Sequence, residues 1–503
     1  MEYTSLSQAI ARLNEIETTS YAYSHAMGVV SVDASTIAPS ASAPGRGKTM
    51  EVLSSVVYNL VADPENMDLV RCLEAHADEL TPIQKRQTEL LRKSVEQLSR
   101  IPQEEYVAYS VLMSEAEVIW RKAKVENDFP AFASCLEQIV AFNRKFAGYY
   151  NAELPTYDAL LNEYEEGLTS ETLEAFFAQL RAELVPLIHA IGKQEQIDNS
   201  FLHVHYPVNQ QKEFTNYLMD AIGLDKTRCI ICESEHPFTA GFNNRDVRIT
   251  THYYPNDISF AMFSTIHEGG HAIYEMGMDD SYNYTSIAGG ASMSIHESQS
   301  RFYENLIGRS RPFIEKVFPK MQELFPEQLS DVTAEQMYRA VNRVQPSLIR
   351  TESDELTYCM HIMIRYELEK QMMDGTLEVK DVPAAWNKLY KEYLGVDVPS
   401  DTKGCLQDSH WSGGSIGYFP SYALGSAYGA QMKHVLETEL GATVEELVAQ
   451  DRIGDITAWL GDKIHRHSAM YKPMDLFRSV CGEFDPKFYT DYLKEKYTKL
   501  YNL

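Results

Sequence analysis

The stretch ISFAMFSTIHEGGHAIYEMG, residues 258–277, sets His267, Glu268 and His271 in the order His-Glu-x-x-His. On a helix the two histidines stand four residues apart and share one face. Both imidazoles then reach a single metal ion, while the intervening glutamate faces the open side of that ion. Zinc is the natural occupant. It takes tetrahedral nitrogen and oxygen ligands, keeps one position for water in a catalytic site, and brings the pKa of that water toward neutrality, so that Glu268 can remove its proton. The helix is predicted to start after Pro255, Asn256 and Asp257. Ile258, Ala261, Met262, Ile266, Ala272, Ile273 and Met276 supply its apolar positions, and Gly277 ends it. Gly269 and Gly270 run against this pattern, since each costs about 1 kcal/mol relative to alanine in a helix interior. They predict a second backbone close to this face, read here as a strand that presents the substrate.

The rival reading makes His267 and His271 ordinary polar residues on an exposed helix face, and a third ligand decides against it. Glu297 follows within SMSIHESQSRFYENLIG, which reads as another helix with Ile295, Phe302, Leu306 and Ile307 on its apolar side. A Gly/Ser/Asn-rich turn over residues 277–292 allows the two helices to fold back on each other. Together the three side chains make the His, His, Glu set of a large class of zinc hydrolases.

The flanking chain is mainly helical in pattern. Before the motif, periodic segments cover SLSQAIARLNEIETTSYAYSHAM, KTMEVLSSVVYNLVADP and residues 82–100, 103–126, 129–151 and 170–193, with an Ala/Ser/Pro loop at 38–45. Between about 200 and 255 the texture changes. HVHYPV near 203–208, CIICESEHPF and DVRITTHYY are rich in β-branched and aromatic residues and predict a small sheet just ahead of the HEGGH helix. A strand edge there suits an extended peptide held by main-chain hydrogen bonds. After Glu297, helical patterns cover 311–325, 333–374, 383–394 and 422–440. Arg350 and Glu355 lie in the second of these, either on a solvated face with local ion pairs or with Arg350 turned inward to clamp an anion. The segment 404–425, GCLQDSHWSGGSIGYFPSYALG, brings together Asp408, His410, Trp411, Tyr418 and Tyr422. Its histidine or a tyrosine can supply donors for the oxyanion of a hydrolytic reaction; aromatic loop packing is the competing explanation.

Composition narrows the partners. The chain has 503 residues, 44% hydrophobic and 23% charged, with a formal charge of −27. Nucleic acid and anionic membrane surfaces would repel it at long range. A basic region leading into an apolar run is lacking at the N-terminus, and no apolar stretch has membrane-spanning length, so the expected location is the cytoplasm. The seven scattered cysteines do not form a disulfide framework, and Cys229 and Cys232 read as structural thiols. We find no domain boundary. Residues 1–503 are expected to form one domain, with the N-terminal helices, about 1–100, as a candidate mobile cover over a groove.

Several separated motifs give the chain its resemblance to the carboxypeptidase Taq-type metallocarboxypeptidases, peptidase family M32. Besides HEGGH they are HPF at 236–238, DVRIT at 246–250, HES at 296–298, IRTESD at 349–354 and GCLQDSHW at 404–411. The resemblance implies a large, mainly α-helical peptidase fold with a deep groove, a bound zinc or cobalt ion, a homodimer, and release of single amino acids from peptide C-termini with broad preference. Matched by position, His267, His271 and Glu297 would be metal ligands and Glu268 the catalytic acid/base. Arg350, with Arg248 as a second candidate, would hold the terminal carboxylate. His410 with Tyr422 or Tyr418 would stabilise the tetrahedral intermediate. Two positions depart from the family: Val32 stands where a tryptophan is expected, and Ser353 where alanine is usual. The alternatives are a zinc oligopeptide endopeptidase with an open groove and a noncatalytic peptide-binding scaffold. Glu268, a carboxylate at the general-base position, argues against the scaffold.

Overall fold

The computed structural model describes residues 5–503, so residues 1–4 of the expected single domain lie outside it. Most of the expected helices occur with their expected bounds, because their ends carry the residues that satisfy a helix terminus. Pro82–Arg100 starts with a capping box between Thr81 and Gln84, and Phe129–Tyr150 starts with the Asp128 side chain accepting from Ala131 N. Gln103–Glu126, Ser170–Ile191, Arg311–Leu324, Val382–Leu394 and Pro420–Leu440 complete the agreement. The first helix, Leu6–Thr36, runs further than its pattern suggested, and Ala43–Val61 starts inside the expected 38–45 loop, with Pro44 in its first turn.

Two expectations fail for local reasons. The 333–374 pattern is not one helix. Ala334–Val341 ends ahead of Pro346, whose ring disfavours helix at the preceding residue, and Glu355–Asp374 begins anew under an Asp354 cap. Arg350 therefore lies on a single 3-10 turn, Arg350–Glu352, in the connector. Neither it nor Glu355 belongs to a solvated face: both are buried. Ser353, the departure from the family pattern, donates its hydroxyl to Arg350 O at 2.6 Å and closes that turn. Second, HVHYPV is not a strand, since it passes from the 3-10 turn Ser200–His203 into the helix Val208–Ala221 behind Pro207.

The sheet has three strands, β1 (Cys229–Glu233), β2 (Thr239–Asn243) and β3 (Asp246–Thr251), in the order β1-β3-β2. β1 is parallel to β3 and β2 antiparallel, with Thr239 opposite Ile249 and Gly241 opposite Val247. β2, an edge strand, has the sequence TAGFN, whose small residues gave no strand pattern. Val247 and Ile249 of β3 are buried in the main core, which runs from Leu112 to Tyr501. The N-terminal helices build a smaller core of their own around Leu13, Ile16, Leu69 and Leu91. They meet the rest through specific contacts: Ser286 Oγ donates to Glu17 at 2.8 Å, Arg86 Nε to Ala469 O at 2.8 Å, and Asn243 to Tyr21 at 3.2 Å.

The HEGGH motif lies in the helix Ile258–Met276, begun by Asp257, which accepts from Ser259 N and Phe260 N, and followed by Gly277. Its glycines do mark a close backbone, but not a strand. A Cβ on Gly270 would lie 2.8 Å from Gln299 O and Ser300 Cα, on the Met293–Arg301 helix that carries Glu297, whereas a Cβ on Gly269 would meet the side chains of Ile222 and Leu224. From the opposite side, Pro420–Leu440 approaches equally closely: a Cβ on Gly425 would lie 2.6 Å from Glu297 Cβ. The Glu297 helix is thus clamped between two glycine faces.

Gly270→Ala should lower stability by about 1–3 kcal/mol, because it pushes on backbone. Gly269→Ala should be close to neutral, since Ile222 can rotate away and alanine recovers roughly 1 kcal/mol of helix propensity. Thermal unfolding of the metal-free variants checks this; equal effects would contradict it.

Candidate active site

The fold brings His267, His271 and Glu297 together. Their Nε2, Nε2 and one carboxylate oxygen lie within 4.8 Å of one another. Each histidine Nε2 is 3.6 Å from Glu297 Oε2. Ligands about 2.1 Å from a shared tetrahedral ion stand about 3.4 Å apart, so the donor set fits a divalent metal in chemistry and in spacing.

The outward-facing ring nitrogens are also tied down. His267 Nδ1 is 2.9 Å from Glu304 Oε2, and His271 Nδ1 is 2.6 Å from His296 Nδ1, whose Nε2 is 2.8 Å from Glu275 Oε1. The second chain fixes tautomers by elimination. Glu275 accepts only, so His296 carries its proton on Nε2 and offers Nδ1 as an acceptor. His271 then donates from Nδ1, which leaves its Nε2 lone pair free for a metal. Burial, acting first, pulls His271 down to about 3 and keeps it neutral, as ligation requires.

Glu297 is held as a carboxylate. Burial alone would raise its pKa, but Arg301 and the two histidines overcome this and leave it well below the usual range. Arg301 donates to Glu297 Oε1 at 2.7 Å and to Glu304 Oε2 at 3.1 Å, and Arg309 reaches Glu304 Oε1 at 3.1 Å. Glu304 sits on a π-helical segment, Phe302–Gly308, which continues the Glu297 helix; wider coils of this kind recur at functional sites. Glu268 lies inside the site with Thr239 Oγ1 of β2 2.7 Å from its Oε2, and burial raises its pKa.

The other wall carries His410, Tyr418 and Tyr422. Tyr422 is on the first turn of Pro420–Leu440, and its hydroxyl is 3.2 Å from His410 Nε2. His410 stacks on Phe419 with centroids 4.3 Å apart, and its buried Nδ1 has no hydrogen-bond partner. Its segment is held from both sides by buried Glu369, which accepts from Trp411 Nε1 at 2.8 Å and Gly417 N at 2.9 Å. Arg350 is buried beside this wall. Its Nε and Nη2 lie 3.1 and 3.0 Å from Asp408 Oδ1, and its Nη1 is 3.3 Å from the Tyr358 hydroxyl. Arg365, fully buried, donates to Asp408 Oδ2 at 2.7 Å, so two guanidinium groups share one carboxylate. Arg248 is placed apart from this cluster: it makes two bonds to Asp246, at 3.0 and 2.9 Å, and covers the Phe242 ring.

Sequence reading missed Glu304, Arg301, His296, Glu275, Thr239, Tyr358 and Arg365. One signal was present: Arg301 and Glu304 stand one and two turns beyond Glu297, on its own face. His296, beside Glu297 in the HES motif, and Glu275, one turn after His271, were equally near at hand, whereas Thr239, Tyr358 and Arg365 come from distant segments.

Known proteins are similar to this chain over nearly its whole length. The family described as carboxypeptidase Taq (M32) metallopeptidase matches residues 12–497. "Carboxypeptidase 1" of Bacillus subtilis (strain 168) is 39% identical over 483 residues, covering 96% of each chain. "Thermostable carboxypeptidase 1" of Pyrococcus furiosus is 35% identical over 501 residues, 98% of each. The crystal structure of an M32 carboxypeptidase from Deinococcus radiodurans R1 superposes with a TM-score of 0.94 at 34% identity, covering 99% of this chain and 100% of that one. The chain belongs to the M32 family and is a metallocarboxypeptidase that acts on peptides.

Proposed function

We propose that His267, His271 and Glu297 hold a zinc ion, with cobalt able to replace it, and that Glu268 is the general base. The observation that carries this reading is the convergence of three ligand atoms whose other faces are all engaged, beside a buried carboxyl that is not one of them. When bound, the ion polarises the last peptide carbonyl and acidifies water at neutral pH. Glu268 accepts the water proton and delivers it to the leaving amine. His410 donates to the oxyanion together with Tyr422, the favoured partner, or Tyr418. Arg350 receives the terminal carboxylate. The surplus positive charge of Arg350 and Arg365 around the single Asp408 supports this; Arg248, both of its bonds taken by Asp246, is the weaker choice. We extend the proposal to broad preference at the last residue, a homodimer on family likeness, and one domain whose N-terminal helices cover the groove. The cytoplasm fits the seven free cysteines.

A blocked dipeptide and its C-terminally amidated twin test the reaction. Only the free acid should be cleaved, a chelator should stop it, and zinc or cobalt should restore it. Equal cleavage of both would instead favour an endopeptidase. Glu268→Gln should lower kcat about a hundred- to ten-thousand-fold while zinc content stays at the wild-type level. Normal turnover would remove Glu268 from the mechanism.

His410 should work as a neutral donor. Burial first, with Arg350 and Arg365, brings its pKa down to about 4 against the opposing pull of Asp408. It should therefore stay uncharged from neutral pH down to about 5. An NMR titration of the labelled imidazole in the folded protein checks this; a midpoint near the free-histidine value would contradict it.

A further inference from the structure

Between the N-terminal helices and the sheet lies a cavity of about 490 Å³, within the size range of ligand pockets. Ile16, Tyr21, Val57, Val61, Leu91 and Phe242 give it a mainly apolar lining. Two carboxylates also reach the wall, but both are committed elsewhere. Glu17 accepts from Ser286 Oγ at 2.8 Å, and Glu275 Oε1 holds His296 at 2.8 Å while its Oε2 packs against Gly241, where a Cβ would come within 2.6 Å. The polar atoms of these two carboxylates are thus engaged with protein groups, and the remaining lining is mainly apolar. An apolar or aromatic group would find three rings, since His25 lies 5.0 Å from Phe242 and Tyr21 is at the rim.

The position of the cavity relative to the chemistry is set by β2. That strand begins at Thr239, 2.7 Å from Glu268, and Ala240 to Asn243 form one wall of the cavity. With a strand rise of about 3.3 Å per residue, Gly241 and Phe242 lie about 7 to 10 Å beyond the general base. The direction is also defined. Glu275, which lines the cavity, and its partner His296 stand at one end of the paired helices, whereas Arg301, with Tyr358 over its guanidinium at 4.1 Å and Arg350 beyond, marks the other end. The cavity is therefore on the side away from the terminal-carboxylate cluster. β2 is an edge strand, the element along which an extended peptide pairs.

We infer that this cavity is a subsite for an apolar or aromatic side chain of the peptide, two to three residues upstream of the residue whose carbonyl is cleaved. The inference rests on the carboxypeptidase reading of the site. It makes the N-terminal helices part of substrate recognition, because they supply half of the lining.

A phenylalanine scan of N-blocked pentapeptides, otherwise alanine, tests it together with two variants. Ser24→Trp enters the cavity from an exposed helix position, and Val57→Asp puts a charge on its wall. In the wild-type enzyme, phenylalanine two or three residues upstream of the cleaved carbonyl should raise kcat/KM about tenfold over alanine. Both variants should lose that gain and still cleave an N-blocked dipeptide to within about twofold of wild type. The dipeptide reports the chemistry alone, so failure of the subsite and failure of the carboxypeptidase reading give different results. A flat scan, a gain that survives both substitutions, or an equal loss on dipeptide and pentapeptide would overturn the subsite.

Discussion

The active site depends on how closely three helices pack. Glu297 reaches the two histidines because Gly270 on one side and Gly425 on the other leave no side chains between the backbones. Glycine in a helix interior is locally unfavourable, and the approach of the Glu297 helix is what offsets that cost. A methyl group at either position would come within 2.6 to 2.8 Å of that helix and force it to shift, which disturbs the placing of a metal ligand. Geometry at the metal site is therefore set by backbone packing, with side-chain choice following from it.

On that frame, the charges order themselves. Arg301 stands between two glutamates, one turned to the ion-binding side and one to the back of His267, so a single buried guanidinium stabilises both a ligand and the group that orients another. The second histidine is oriented through His296 and Glu275, without a cation. Removing one member of such a buried network leaves an unpaired polar group or charge, which costs more than the bond itself was worth. The same logic applies on the opposite wall, where Asp408 holds Arg350 and Arg365 and Glu369 holds the segment that carries His410.

Much of this was legible in the sequence, for physical reasons that vary by element. The HEGGH helix showed its start in Asp257, its face in the apolar spacing and its stop in Gly277, all local features. Gly269 and Gly270 announced a close neighbour but not its identity, and the neighbour at Gly270 is a helix. β2 was invisible because in TAGFN the strand-favouring Thr239 and Phe242 are separated by Ala240 and Gly241 and followed by Asn243, too few and too interrupted to mark a strand. Arg350 looked helical until Pro346 is given its full weight as a breaker. Partners such as His296 for His271, or Asp408 for Arg350, join segments 25 and 58 residues apart, and no local pattern encodes such a contact.

The most direct test of the account is a crystal structure of the protein loaded with zinc, with the ion located by its anomalous scattering. The account predicts one strong peak at about 2.0–2.2 Å from His267 Nε2, His271 Nε2 and a Glu297 carboxylate oxygen, with Glu268 nearby but not bound. A peak that lacks Glu297, or one that recruits Glu268 as a ligand, would contradict the claim that helix packing at Gly270 and Gly425 builds the metal site.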